Sequence, residues 1–93
     1  MTKRVFASEN VLIHTFGADS VVLNLDTEVY YTLNGTGIRM WQVLTTAASI
    51  DEAVQTLQQE YEVDEATLRQ DVEEFIAKLK DLKMIKVDEA PTL

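Results

Sequence analysis

The stretch LDTEVYYTLNGTGIRMW, residues 25–41, decides the fold. Asp26-Thr27 is a turn pair. Glu28 to Leu33 then alternates, with Val29, Tyr31 and Leu33 on one face and Glu28, Tyr30 and Thr32 on the other, which is the period of a strand. The period changes abruptly at Asn34-Gly35-Thr36-Gly37. Asn34 or Thr36 can cap a helix there, and Ile38, Trp41 and Leu44 return at helical spacing to roughly one face. A strand therefore runs almost directly into a helix, with Trp41 as a core anchor beneath the sheet.

Upstream, Val11 to Phe16 (VLIHTF) is a short β-branched and apolar run. It ends at Gly17-Ala18-Asp19-Ser20, which reads as a turn. Val21 to Leu25 (VVLNL) is a second run, and Glu28 to Leu33 a third. Connections this short join neighbours, so the three form an antiparallel meander. Downstream the pattern is helical. Ser49-Ile50-Asp51-Glu52 matches a capping box and opens a helix carrying Ile50, Ala53, Val54, Leu57 and Tyr61. Asp64 caps the third and longest helix. Its apolar set, Leu68, Val72, Phe75, Ile76, Leu79 and Leu82, forms a broad stripe. Met84 to Val87 can make a short terminal strand, and Asp88 to Leu93, with the one proline, reads as a loose tail. Strands followed by helices give an α+β class. The helices must cover one sheet face, which leaves the other face and at least one sheet edge open.

The chain has 93 residues, one domain's length, with a core expected over about residues 11–87. No apolar run approaches the roughly 20 residues of a bilayer span, and MTKRVFASEN lacks the apolar segment of a secretory signal. No cysteine is present, so disulfides and thiol chemistry are excluded. These features suit a cytoplasmic protein. The formal net charge of −8 repels phosphate backbones and anionic lipids. Neither a nucleic acid nor a membrane is expected as partner. Lys78, Lys80, Lys83 and Lys86 read as cations at the negative end of a helix, interleaved with Asp81 and Asp88.

Catalytic chemistry finds no foothold. The sole histidine, His14, lies inside a strand run with no nucleophile to serve. Neither a Gly-x-Ser-x-Gly elbow nor a metal spacing of His or Cys occurs. Asp71, Glu73 and Glu74 fall on the solvated side and flank of the third helix. Asn34-Gly35-Thr36-Gly37 precedes a helix, but its spacing matches no phosphate loop and it lacks a lysine. Its glycines read as a tight turn, where the backbone needs positive φ or close packing. We expect no catalytic residues, no metal and no cofactor.

Leu23-Asn24-Leu25-Asp26-Thr27-Glu28-Val29-Tyr30-Tyr31-Thr32-Leu33-Asn34, followed by Gly37 and Trp41, resembles the PqqD-like family of RiPP recognition elements. These small domains bind the leader segment of a ribosomally made precursor peptide. Ile50 to Val54, Tyr61-Glu62-Val63-Asp64, Arg69 to Val72 and Leu79 to Ile85 resemble later parts of the same pattern. Glu28 is a departure, because the family usually has Gly there. The resemblance implies a winged-helix-like fold, a three-stranded antiparallel sheet followed by three helices. Its leader adds an antiparallel strand to the exposed edge of the third strand, against the third helix. On that basis Val29, Tyr30, Tyr31, Thr32 and Leu33 are the docking strand. Leu68, Val72, Phe75, Ile76 and Leu79 form the apolar wall, most of which must also be core. Arg69, Asp71 and Lys78 flank it and can select charged leader residues. Of Tyr30 and Tyr31, alternation puts one toward the core and the other toward the surface or the site. The implied role is an adaptor that is not itself an enzyme. Its partners are a precursor leader peptide and a separate maturation enzyme, a cysteine protease if the pathway makes a lasso peptide, the subgroup it looks most like. Two other readings remain open: a peptide chaperone of a quinone cofactor or radical-enzyme pathway, and a winged-helix DNA-binding regulator.

Overall fold

The structure, a computed structural model, describes residues 3–89. In chain order it contains β1 (Lys3–Ala7), β2 (Val11–Phe16), β3 (Asp19–Asn24), β4 (Val29–Leu33), α1 (Gly35–Thr46), α2 (Ile50–Glu60), α3 (Glu65–Asp81) and β5 (Ile85–Glu89). The α+β class holds, and β2-β3-β4 is the expected antiparallel meander. The terminal strand expected at Met84 to Val87 is β5, and it pairs antiparallel with β1, a strand that the sequence pattern did not reveal. Asp88 and Glu89, read above as the start of a loose tail, instead continue β5, held by pairing with Arg4 and Lys3, and Ala90 to Leu93 lie outside the described residues.

Each helix begins where its side chains can satisfy the free N–H groups of a first turn. Asn34 accepts from the Gly37 N–H at 2.8 Å, Ser49 from Glu52 at 3.1 Å, and Asp64 from Thr67 at 3.0 Å. The Thr67 backbone and hydroxyl bonds also hold the Asp64 carboxyl below its ordinary range. Gly37 serves close packing rather than positive φ. A Cβ there would come within 3.3 Å of the Leu33 side chain.

The hairpin between β2 and β3 turns on Gly17 and Ala18, with Gly17 at φ 59°. Asp19 and Ser20, read above as part of the turn, already belong to β3. The β3–β4 turn places Glu28 at φ 59° as well, a left-handed conformation that suits glycine far better. Glu28→Gly should therefore raise stability by roughly 0.5–1 kcal/mol, read as a thermal midpoint several degrees higher. A lower midpoint would mean that the glutamate side chain stabilises the turn in some other way.

The core joins both sheets and all three helices. Val5 from β1, Val22 and Leu33 from the meander, Trp41 and Leu44 from α1, Val54 and Leu57 from α2, Val72 and Leu79 from α3, and Met84 and Ile85 are all buried. Two polar residues, Ser20 and Asn24, are buried with them, and Asn24 is only 4% exposed. Its amide donates to the Lys83 carbonyl at 2.7 Å, while its side-chain oxygen accepts from the backbones of Asp26 and Thr27. It thus ties the β3–β4 turn to the α3–β5 turn, where Lys83 has φ 61°. On the far side of the helices, Arg39 of α1 forks onto Glu60 of α2 at 2.8 and 2.6 Å. That hydrogen bonding keeps the Glu60 carboxyl acidic.

Candidate functional site

Among the described residues β4 has one strand neighbour, β3, and its other side is an open edge. Which backbone groups face that edge follows from two hydrogen bonds. Leu25 donates to the Asn10 carbonyl at 2.9 Å, so the Leu25 backbone faces β2. Alternation then turns the backbones of Asn24, Val22 and Ser20 toward β4. The Asn24 carbonyl does accept from Glu28, at 2.8 Å. Their register partners Val29, Tyr31 and Leu33 are paired inward. The N–H and C=O groups of Tyr30 and Thr32 point out of the sheet edge, with no described strand beside them.

The side chains alternate the other way, between sheet faces. Leu33 is buried and Tyr31 half-buried on the helix side, while Tyr30 is 68% exposed on the outer face. Alongside the edge runs a groove of about 260 Å³ between β4, the start of α1 and the side of α3. It is lined by Tyr31, Thr32, Leu33, Met40 and Phe75 among others. Phe75 is half-buried and closes the α3 side. The Lys78 ammonium stands 6.0 Å from the Tyr31 ring centroid, one turn further along α3.

The broad apolar stripe of α3 divides three ways. Leu68, Val72 and Leu79 are at most 5% exposed and belong to the core, from where they support the groove. Phe75 and Lys78 stand on the groove side. Asp71 shares a smaller neighbouring cavity with Leu68. Ile76 points to the opposite flank, into a cavity bounded by Lys3, Ile50 and Val87. Arg69 also turns from β4, donating to Asp51 at 2.8 Å and Glu65 at 3.3 Å. These bonds hold α3 against the start of α2 and raise the guanidinium pKa. The groove thus brings together Tyr31, Thr32 and Leu33 of β4 with Phe75, with Lys78 near the Tyr31 ring and Asp71 and Leu68 in the adjoining cavity, whereas the side chains of Val29 and Tyr30 do not line it. It adds Thr36, Gly37 and Met40, which the sequence reading did not single out as site residues. The strand-to-helix junction was their signal: a helix that starts right after a strand must lay its first turn beside that strand's end.

Among the described residues no group of His, Cys, Asp or Glu is placed to hold a metal ion. No described helix is long and apolar enough to cross a membrane. An open backbone edge above an apolar groove is what an extended polypeptide needs: hydrogen-bond partners for its main chain and alternate pockets for its side chains.

No curated protein matches the chain. Two solved structures share its fold. One is titled TbiB1 in complex with the TbiA(beta) leader peptide, with 26% identity, a TM-score of 0.77, and coverage of 87% of this chain and 94% of that one. The other, a lasso peptide synthetase B1 complexed with the leader peptide, has 23% identity, a TM-score of 0.79, and coverage of 89% and 98%. The model of the family described as Coenzyme PQQ synthesis protein D (PqqD) matches residues 19–85, from the start of β3 to the start of β5, so the chain belongs to the PqqD family.

Proposed function

We propose that this protein captures the leader segment of a ribosomally synthesised precursor peptide by β-augmentation along β4. It presents that peptide to a separate maturation enzyme, a leader protease of a lasso-peptide pathway, and is itself a non-catalytic cytoplasmic adaptor. The observation that carries this reading is the β4 edge. Tyr30 and Thr32 offer unpaired backbone groups directly beside the groove backed by Phe75. Similarity to two proteins solved with leader peptides supports the same choice of ligand. Tethering a substrate next to an enzyme raises its effective concentration without any new catalytic group.

The test is calorimetric titration with the leader of a precursor encoded beside this protein's gene, run in parallel with duplex DNA. The leader should bind. The DNA should show no measurable binding at physiological salt, because the net charge of −8 opposes counterion release. Sub-micromolar, salt-sensitive DNA binding without leader binding would replace the adaptor by a regulator. Adding the leader protease then tests presentation: its rate on the precursor should rise with this protein present and not otherwise.

A further inference from the structure

We infer that Asn34 is a site of spontaneous covalent modification: its amide closes onto the Gly35 nitrogen and reopens as isoaspartate, which unseats the junction between β4 and α1. The chain has three asparagines, Asn10, Asn24 and Asn34. Only Asn34 precedes a glycine, whereas Asn10 and Asn24 precede Val11 and Leu25. Ring closure brings the next residue's nitrogen against the asparagine Cγ. A side chain on that next residue crowds the approach, and glycine has none.

The local structure leaves this reaction open. Asn34 is extended rather than helical, with φ −79° and ψ −178°, which turns the Gly35 nitrogen closer to the side chain than a helical ψ would. Gly35 is the first residue of α1, and first-turn N–H groups have no intrahelical acceptor, so its nitrogen is not tied into the helix ladder. The Asn34 side-chain carbonyl accepts from the Gly37 N–H at 2.8 Å. That bond draws electrons from Cγ and stabilises the negative charge that grows on the oxygen as the nitrogen adds. Both residues are exposed, and a Cβ on Gly35 would meet nothing within 4 Å, so the ring has room and water reaches it. The Gly35 nitrogen gives up its proton and bonds to Cγ, the bond from Cγ to the amide nitrogen breaks, and that nitrogen leaves as ammonia with a proton from solvent. Water then opens the cyclic imide. Attack at the side-chain carbonyl carbon gives aspartate. Attack at the main-chain carbonyl carbon gives isoaspartate, with the chain rerouted through Cβ and Cγ.

The two products differ in what they do to the fold. Aspartate caps a helix as well as asparagine does, and its charge suits a helix N-terminus. Isoaspartate puts an extra carbon into the main chain between Leu33 and Gly35. The carbonyl that now accepts the Ile38 N–H at 2.9 Å becomes a free carboxylate outside the chain path. Leu33 before the junction and Met40 and Trp41 after it are all buried, so the added carbon shifts packed side chains against one another. Leu33, Asn34, Thr36, Gly37 and Met40 all line the groove along β4, which deforms with the junction. That a leader peptide feels this deformation rests on the leader-binding reading above.

The freshly purified full chain, held in mildly alkaline buffer and sampled over time, tests this. Peptide mapping by mass spectrometry should show the amide-to-acid mass change at Asn34 and not at Asn10 or Asn24. Labelling with an isoaspartyl methyltransferase should place isoaspartate at the same position. Gly35→Ala should keep Asn34 intact over the same period, and should fold normally because its Cβ enters open space. The isoaspartyl form, separated by ion exchange, should melt several degrees below the fresh protein. It should bind the leader of the neighbouring precursor weaker by about tenfold or more. Asn34→Asp, which adds the charge without the extra carbon, should keep the fresh protein's midpoint. Conversion at Asn34 no faster than at Asn10, or equally fast in Gly35→Ala, overturns the reaction. An isoaspartyl form that melts with the fresh protein, or an Asn34→Asp variant that melts as low as the isoaspartyl form, overturns its effect on the junction. Fresh protein that binds no leader removes the leader-binding reading, while the mass and melting measurements still decide the modification.

Discussion

Leu79→Ala is expected to cost about 2–5 kcal/mol of folding stability, because the site cannot collapse around the lost methyl groups. Leu79 is 1% exposed and belongs to the core that joins α3 to the rest of the molecule. Against a total of ~5–15 kcal/mol for a domain, that loss takes away a large part of the folded margin. Phe75→Ala four residues earlier should behave differently. Its ring is half-buried against the groove, so its loss costs less stability. Leader affinity should instead fall at least tenfold, since the peptide loses its apolar backing. Urea denaturation followed by circular dichroism reads the first effect, and calorimetry the second. If Phe75→Ala unfolds the protein as Leu79→Ala does, the groove wall is core and the peptide must lie elsewhere.

The second large effect concerns the edge. Thr32→Pro removes an N–H that points out of the sheet, and proline is tolerated on an edge strand at such a position. The fold should survive, and leader affinity should drop tenfold or more, about 1.4 kcal/mol. Tyr31→Pro removes an N–H turned toward Val22 in β3, along with a half-buried ring, so the fold should fail. One residue's difference in position thus separates loss of binding from loss of structure. If both variants stay folded and bind normally, the peptide does not pair with β4.

The helices were legible in the sequence because their signals are local. Asn34, Ser49 and Asp64 each sit before an apolar-periodic run, and each caps the helix expected of it. The meander was legible for the same reason, since its turns are short. β1 was not, because only Val5 of its residues is buried and its partner strand β5 lies at the opposite end of the chain. Strand pairing over such a separation leaves no trace in local periodicity. The candidate site was half visible. Alternation correctly separated Tyr31 from Tyr30, but the stripe on α3 is wider than one contact surface. Phe75 and Ile76 are adjacent in that stripe, yet they look out on opposite flanks of the helix. Which flank met the sheet depended on how α3 packs against α2 and β5, and no spacing of apolar residues encodes that. The role of Asn24 was equally hidden, because its partner carbonyl belongs to a turn 59 residues later.

The β1–β5 pairing has a bearing on how such a unit can be joined to other chains. Lys3 and Glu89 are cross-strand partners, which places their Cα atoms only about 5 Å apart. The two ends of the described chain therefore leave the body side by side. Lys3 and Val87 border the cavity on the Ile76 flank of α3, whereas the β4 groove lies on the Phe75 flank. Splicing the unit into a surface loop of an enzyme, or fusing it at either end, would neither pry its strands apart nor cover its groove. The architecture is that of a plug-in cassette, with its attachment points on one flank and its proposed docking edge on the other.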